Sequence, residues 1–500
     1  MRRPILAVAL SVMLTGAAHA QTLRIALRED PDILDPTLAR TYVGRIAFAG
    51  LCDKLFDINE KLEIVPQLAL SYEWTDPTSL VLKLRPGVVF HDGEMLDAAA
   101  VKYSLERHLS MQGSFRRSEI NVMDRVEVVD PLTVRIVLKT ASSPFVSQLT
   151  DRAGMIMSPK AAEAAGKDFG LKPVCAGPFR FVERVPQDRI VLERFPGYWD
   201  AASIKLDRVV YLPIPDSSIR LANLQAGSIE LSEQILPTDA DAVRSNSRLR
   251  LVTSDNLGYL GITINLANGP RAKTPLGSDA RVRQAFELSL DKAAIIQVVY
   301  NGLYTPVSQG LSPSSPYYAK AVRPRERDVE RAKALLKEAG AALPVPVALT
   351  VPNNPDQRQA GEIVQAMAAE AGFDVRITAS EYASALAAAN RGEFEAFATA
   401  WSGRVDPDGN LFSFMHSGGA LNDSHYANPK VDALLDQARA VQEGAARREL
   451  YGQAVEQLSK DLPIVYLHNP KNVVGMSARV TGFRPVPDGL IRLQGVGLAK

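Results

Sequence analysis

The stretch Glu393-Phe-Glu-Ala-Phe-Ala-Thr-Ala-Trp-Ser-Gly-Arg-Val-Asp-Pro-Asp-Gly-Asn-Leu411 changes character at its middle. Phe394, Phe397 and Ala398 lead up to Trp401 as a buried strand would. Ser402, Gly403, Asp406, Pro407, Asp408 and Gly409 then supply turn formers. An aromatic platform is followed at once by Arg404 and two carboxylates on a proline-fixed turn. A loop anchored on a rigid strand is where small-molecule recognition tends to sit. The competing reading is a surface turn whose aspartates cap the next element.

Working outward, this strand closes a run in which helix and strand periods alternate. Helices are predicted over 279–289, 291–300 and 328–339, the last stopped by Gly340. A strand over 345–351, a helix over 357–371 ending at Gly372, a strand over 373–378 and a helix through Leu386 follow. Alternation of this kind builds an α/β lobe around a mainly parallel sheet. Beyond the loop, helices over 431–441 and 447–460 lead to strands over 464–467 and 473–476. The tail after His468 is too short for a domain and is expected to return to the first lobe.

Upstream the pattern differs. Leu80, Leu82 and Leu84 alternate with polar or exposed positions, and the same design recurs at 126–138 around Asp130-Pro131. Between them lies a helix capped by Asp97, with Val101, Leu105 and Leu109 on one face. The strand predicted over 257–266 is expected to cross between lobes. Two lobes joined by few strands leave a cleft, and hinge closure over a ligand is the expected motion.

Residues 1–20 have the form of a secretory signal: Arg2-Arg3, a short apolar run, and Ala18-His19-Ala20 as a cleavage site. Cleavage after Ala20 places the chain in the periplasm. Removing Arg2 and Arg3 takes the basic count from 57 to 55 against 56 acidic residues, a net charge near −1. That balance excludes nucleic acid and anionic membrane surfaces as main partners. No stretch reaches the roughly 18 apolar residues of a membrane span. The two cysteines, Cys52 and Cys175, are read as one disulfide suited to an oxidising compartment, the alternative being two buried thiols.

Several stretches together resemble one family. They are Pro66-Gln67-Leu68-Ala69 before Tyr72-Glu73-Trp74; Leu82-Lys83-Leu84-Arg85-Pro86-Gly87-Val88-Val89-Phe90-His91-Asp92-Gly93; Ala176-Gly177-Pro178-Phe179 with Phe195-Pro196-Gly197-Tyr198-Trp199; and Arg281-Val282-Arg283-Gln284-Ala285-Phe286 with Asp291-Lys292. The chain resembles the extracellular solute-binding proteins of family 5, the peptide/nickel class that serves ABC importers. The resemblance implies a bilobal α/β periplasmic-binding-protein fold (type II, cluster C-like) with a β-rich subdomain on lobe I. The expected division is 1–20 signal peptide, 21–57 lobe I, 58–173 β-rich subdomain, 174–264 lobe I, 265–467 lobe II and 468–500 lobe I again. It implies a monomeric receptor that encloses a peptide or peptide-like solute and hands it to an ABC permease complex, with no chemistry on the ligand.

For the site, the resemblance places Asp406 as the partner of a ligand ammonium, with Trp401 beside it. An unpaired buried carboxylate is costly, so a ligand cation arriving on closure would supply the missing charge. Dipeptide-binding members of the family place an arginine for the ligand carboxylate before this Asn-Pro, and no basic residue precedes Asn354-Pro355 here, so either Arg404 or Arg358 replaces that clamp or the ligand has no such carboxylate. Asp408 is read as a brace for the loop. Thr41, Tyr42 and Asn265 are placed near the cleft by the resemblance, with a structural role as the alternative. His416 and His425 share a segment with Asp423, but their spacing is not that of a metal site, and neither metal nor cofactor is expected. The competing functions are a secreted hydrolase and a peptide-sensing or chaperone protein using the same cleft. No Gly-x-Ser-x-Gly or His-Glu-x-x-His is present to support the first.

Overall fold

The computed structural model describes residues 21–441 and 444–499. The signal-peptide reading therefore lies outside the described residues. Three sheets organise the chain. A seven-stranded sheet runs in the order Leu249–Asp255, Lys471–Ser477, Leu231–Ser232, Thr22–Leu27, Arg208–Pro213, Arg189–Arg194, Phe179–Val185. A six-stranded sheet holds Thr305–Pro306, Ile464–Asn469, Tyr259–Ile264, Ala396–Trp401, Val345–Pro352 and Phe373–Ser380. A four-stranded antiparallel sheet, from the hairpins Ala69–Asp76 with Ser79–Leu84 and Met123–Asp130 with Thr133–Leu138, packs under the helix Ala98–Ser110. Each sheet has its own apolar core, so burial of the three apolar faces holds three packed units.

Local chemistry sets many of the element ends. Asp97 accepts from the Ala100 amide and starts its helix, as the sequence predicts. Gly227 ends the helix Ser217–Ala226 in the left-handed region, φ 75°. The Cys52 and Cys175 sulfurs are bonded, across a sequence separation of 123 residues, and both residues are buried in the lobe I core.

Two expectations need correction. The strand Tyr259–Ile264 is not lobe I material: it lies inside the six-stranded sheet, between Ile464–Asn469 and Ala396–Trp401, so the chain leaves lobe I before Tyr259 and not after residue 264. For the same reason that sheet is mixed, not mainly parallel. Val345–Pro352 pairs in parallel with Phe373–Ser380 and Ala396–Trp401, but the crossing strands enter antiparallel.

The lobes are joined where two antiparallel crossings run side by side. Leu249–Asp255 continues into Tyr259–Ile264, and Ile464–Asn469 into Lys471–Ser477, with Asn256–Gly258 and Pro470 at the passage. Asparagines stitch the two together: Asn469 donates to the Asn256 and Gly258 carbonyls at 2.9 and 2.7 Å, and Asn256 donates to Asn472 at 2.6 Å. Gly258 is required here, because a Cβ would lie 1.6 Å from the Trp401 carbonyl oxygen. Gly403, at φ 75°, likewise lies where a Cβ would meet the Leu257 backbone at 2.2 Å. The turn after Trp401 is therefore pressed directly against the passage between lobes.

Candidate functional site

The carboxyl ends of strands from both sheets converge on one inter-lobe cavity. Ligands in open α/β sheets favour this position. Lobe I contributes Arg28, just past Thr22–Leu27, and Glu233, just past Leu231–Ser232. Lobe II contributes Trp401 at the end of its strand, and Asp356 in the first turn of the helix that follows Val345–Pro352. Tyr300, Tyr304 and Tyr382 complete an aromatic wall on the lobe II side. Glu233 accepts from the Arg28 backbone amide at 3.1 Å and stands 3.7 Å from its Nε, which has no hydrogen-bond partner among the described residues. The Arg28 guanidinium lies 5.2 Å from the Tyr42 ring centre.

A second, smaller chamber shares Arg40, Tyr382, Ala400 and Trp401 with the first. Its remaining wall mixes apolar side chains, Phe414, Leu421 and Ile464 among them, with Thr263, Thr399, Ser424, Asp423 and Arg152. Trp401 thus stands between the chambers. Its ring meets Phe414 edge-on at 4.7 Å, and its Nε1 donates to Asn410 at 2.8 Å.

The lobes touch across the cleft through charged groups. Arg40 Nη2 of lobe I donates to Asp423 of lobe II at 2.7 Å. Arg404 Nε of lobe II lies 2.5 Å from Asp151 of lobe I, and Arg45 donates to the other Asp151 oxygen at 3.1 Å. Gln148 of the subdomain side donates to Asp408 at 3.0 Å, and Arg439 pairs with the same carboxylate. The conformation is closed.

The residues expected to form the site are only partly brought together. Trp401 and Tyr42 line the cavity; Tyr42 Oη donates to the Gly489 carbonyl at 2.6 Å. Asp406 is not a lone carboxylate. Arg447 donates to both of its oxygens at 2.8 and 2.9 Å, so the cation that a ligand was expected to bring is already supplied by the chain. Burial pushes the Asp406 carboxyl up from its ordinary range and Arg447 pulls it back. Arg404 is committed to Asp151 and to its own turn, donating to the Gly403 carbonyl at 2.7 Å. Arg358 is exposed on its helix. Asn265 is fully buried, bonded to the Asn268 and Phe394 carbonyls at 2.9 and 2.8 Å, and so structural. Thr41 caps the helix Tyr42–Leu51 and donates to Asp32 at 2.8 Å, also a structural role. Asp408 braces the loop by binding Arg439. His416 stacks on Phe412 at 4.2 Å, and no cluster able to hold a metal occurs among the described residues.

Sequence reasoning missed Arg28, Glu233 and Asp356. The available signal was position: each follows the carboxyl end of a strand in a sheet with parallel pairings. It missed the three tyrosines because an isolated tyrosine carries no local mark of a cavity wall.

Residues 63–422 match the family model for bacterial extracellular solute-binding proteins, family 5 Middle. The chain belongs to that family. It is the solute-capturing receptor of an ABC importer and not an enzyme. Among its relatives, the glutathione-binding protein GsiB of Pectobacterium atrosepticum is 31% identical, covering 93% of this chain and 92% of the relative. The periplasmic binding protein DppA of Helicobacter pylori, solved with the peptide STSA, superposes with a TM-score of 0.88 at 25% identity, covering 96% of this chain and 98% of DppA. AgaA from A. tumefaciens R10, solved with agropinic acid, gives 0.87 at 26% identity, with 96% and 99% covered. The family member is a bilobal α/β protein with the sheet-rich subdomain described above.

Proposed function

We propose that this solute-binding protein, exported to the periplasm and acting as a monomer, captures a short peptide-like zwitterion in the inter-lobe cavity. The observation that carries the reading is the division of the wall. Lobe I presents the Arg28–Glu233 pair, with a free Nε, and lobe II presents Trp401, three tyrosines and Asp356. A ligand carboxylate matches Arg28, and a ligand ammonium matches Glu233 or Asp356, in place of Asp406. The aromatic wall takes the apolar part of the solute or stacks on its cation. Because the two charge types and the aromatic wall come from different lobes, the solute gains its full contact set only when the lobes close, which is the condition for a ligand to drive closure. The GsiB, DppA and AgaA likenesses point to the same solute class, glutathione included.

Calorimetry with glutathione and a panel of di- to tetrapeptides tests this. At least one member binds stoichiometrically without turnover. Glu233→Gln weakens it by tenfold or more, and Trp401→Ala by about 3- to 30-fold, the range of one cation–π or stacking contact. Unchanged affinity in both variants would remove the cavity from the function.

A further inference from the structure

The helix Pro429–Ala440 of lobe II ends without a glycine stop, and part of its last turn is satisfied from elsewhere in the fold. A helix leaves its last four carbonyls without partners of its own. Here the Val441 amide takes the Gln437 carbonyl, and Arg447 Nε donates to that of Ala438 at 3.0 Å. The Ser143 backbone amide donates to the Arg439 carbonyl at 2.9 Å. The Ser143 hydroxyl is shared between the Arg439 and Val441 carbonyls, at 3.1 and 2.8 Å. Ser143 belongs to the β-rich subdomain, in the turn before the short helix Phe145–Gln148. From across the cleft it therefore brings donors to the negative end of a helix dipole, at a residue 296 positions away.

Arg439 extends from the same turn, and lobe II already supplies its partner. Its Nε and Nη2 donate to Asp408 at 2.7 and 2.9 Å, and its guanidinium lies 3.2 Å from the Phe412 ring centre. The subdomain adds only neutral groups. The Ser118 carbonyl accepts from Arg439 Nη2 at 3.0 Å, Asn121 Oδ1 accepts from Nη1 at 3.4 Å, and Gln148 Nε2 donates to Asp408 at 3.0 Å. This division of charge suits a contact that opens. When the lobes part, the Arg439–Asp408 pair stays whole, and the groups that separate are neutral ones that water can satisfy. Exchanging such hydrogen bonds for water costs far less than parting a buried ion pair. Ser143, Asn121, Gln148, Arg439 and Asp408 all lie outside the walls of both chambers.

We propose that the β-rich subdomain is a clasp: Ser143 and Gln148 fasten it to the end of the helix Pro429–Ala440 when the lobes close, and so set how long a captured solute is held. The inference rests on the cavity reading above only in that a solute leaves by lobe opening. Because the clasp touches no solute, it acts on every solute by the same factor. Selectivity stays with the chamber walls, and residence time is adjusted at a remote contact between subdomain and lobe II. One neutral hydrogen bond there is worth a few-fold to about tenfold in the open–closed balance, and one to a carboxylate somewhat more. Differences of that kind are read in the dissociation rate.

The test uses the full chain carrying Ser143→Ala with Gln148→Ala, and glutathione and trialanine as probes. Stopped-flow release of each bound probe is expected to quicken about tenfold or more in the double variant, while the ratio of the two probes' affinities is unchanged. Ser143→Ala alone, at a half-buried turn residue, is expected to quicken release about 3-fold and serves if the double variant fails to fold. Unchanged release rates overturn the clasp and leave the cavity reading standing. A changed affinity ratio places these residues at the solute and overturns the clasp as well. If neither probe binds the parent, the solute class proposed above fails, and small-angle scattering of the ligand-free proteins decides the clasp. A more open particle in the double variant upholds it, and an identical particle overturns it.

Discussion

Asp406, half-buried, and Asp151, buried, both stand against arginine, yet their surroundings differ in balance. Asp406 meets one guanidinium, Arg447, through two hydrogen bonds, within lobe II. Asp151 meets two, Arg45 from its own lobe and Arg404 from the other, with Arg116 and Arg152 close behind. Burial opposes ionisation at Asp151, yet Arg404 and Arg45 hold its carboxyl well below the usual range. The first arrangement is complete without a ligand and serves the fold. The second ties the two lobes together and gathers more guanidinium than carboxylate.

The comparison breaks most visibly at Arg447. Arg447→Met leaves Asp406 buried without a partner and is expected to cost about 3–5 kcal/mol of stability. Replacing both residues, Asp406→Leu with Arg447→Met, should recover most of that loss in urea unfolding, with solute affinity nearly unchanged. A large loss of affinity at unchanged stability in Asp406→Ala would return Asp406 to the binding site and end the contrast.

Glu29 sharpens it with the opposite sign of surplus. There burial raises the Glu29 carboxyl to about 8, with Arg28 opposing the rise and Glu233, Glu381 and Asp32 adding to it. A carboxyl raised on folding contributes stability that is full below the ordinary carboxylate range and lost as pH rises through about 8. The loss approaches about 1.4 kcal/mol per pH unit within that window at most. Glu29→Gln removes the titration, so its melting temperature relative to the parent should climb between pH 5 and pH 9. A pH-independent difference would show that Glu29 is ionised throughout.

The smallest effect is expected at the balanced pair that spans the cleft. Arg40 and Asp423 are matched one to one, so their coupling in a double-mutant cycle on solute affinity should be about 1 kcal/mol. Small-angle scattering of the ligand-free double variant should show a more open particle. No coupling would mean that this contact follows closure without favouring it.

The family was legible through the resemblance of its ordered motifs, and the elements of the two-lobed plan through local signals. Asp97 at a helix start, Gly227 at a helix end and the period-two leucines of 80–84 act through neighbours in sequence. The Trp401 turn, marked in the sequence by its run of turn formers, sits on the passage between lobes because glycines 403 and 258 allow the close approach. Its role was not legible. Whether Asp406 is free or paired depends on Arg447, 41 positions away on another helix, and no spacing rule links the two.

The sequence by itself determined the order of elements and their caps, because hydrophobic period and turn chemistry act over a few residues, and the resemblance of its ordered motifs to family 5 implied the class of receptor. Only the tertiary structure decided which charges are spent on each other and which remain for a ligand. Coulombic balance is set by distance and burial, and both are fixed only when strands and helices remote in the chain close around the same cavity.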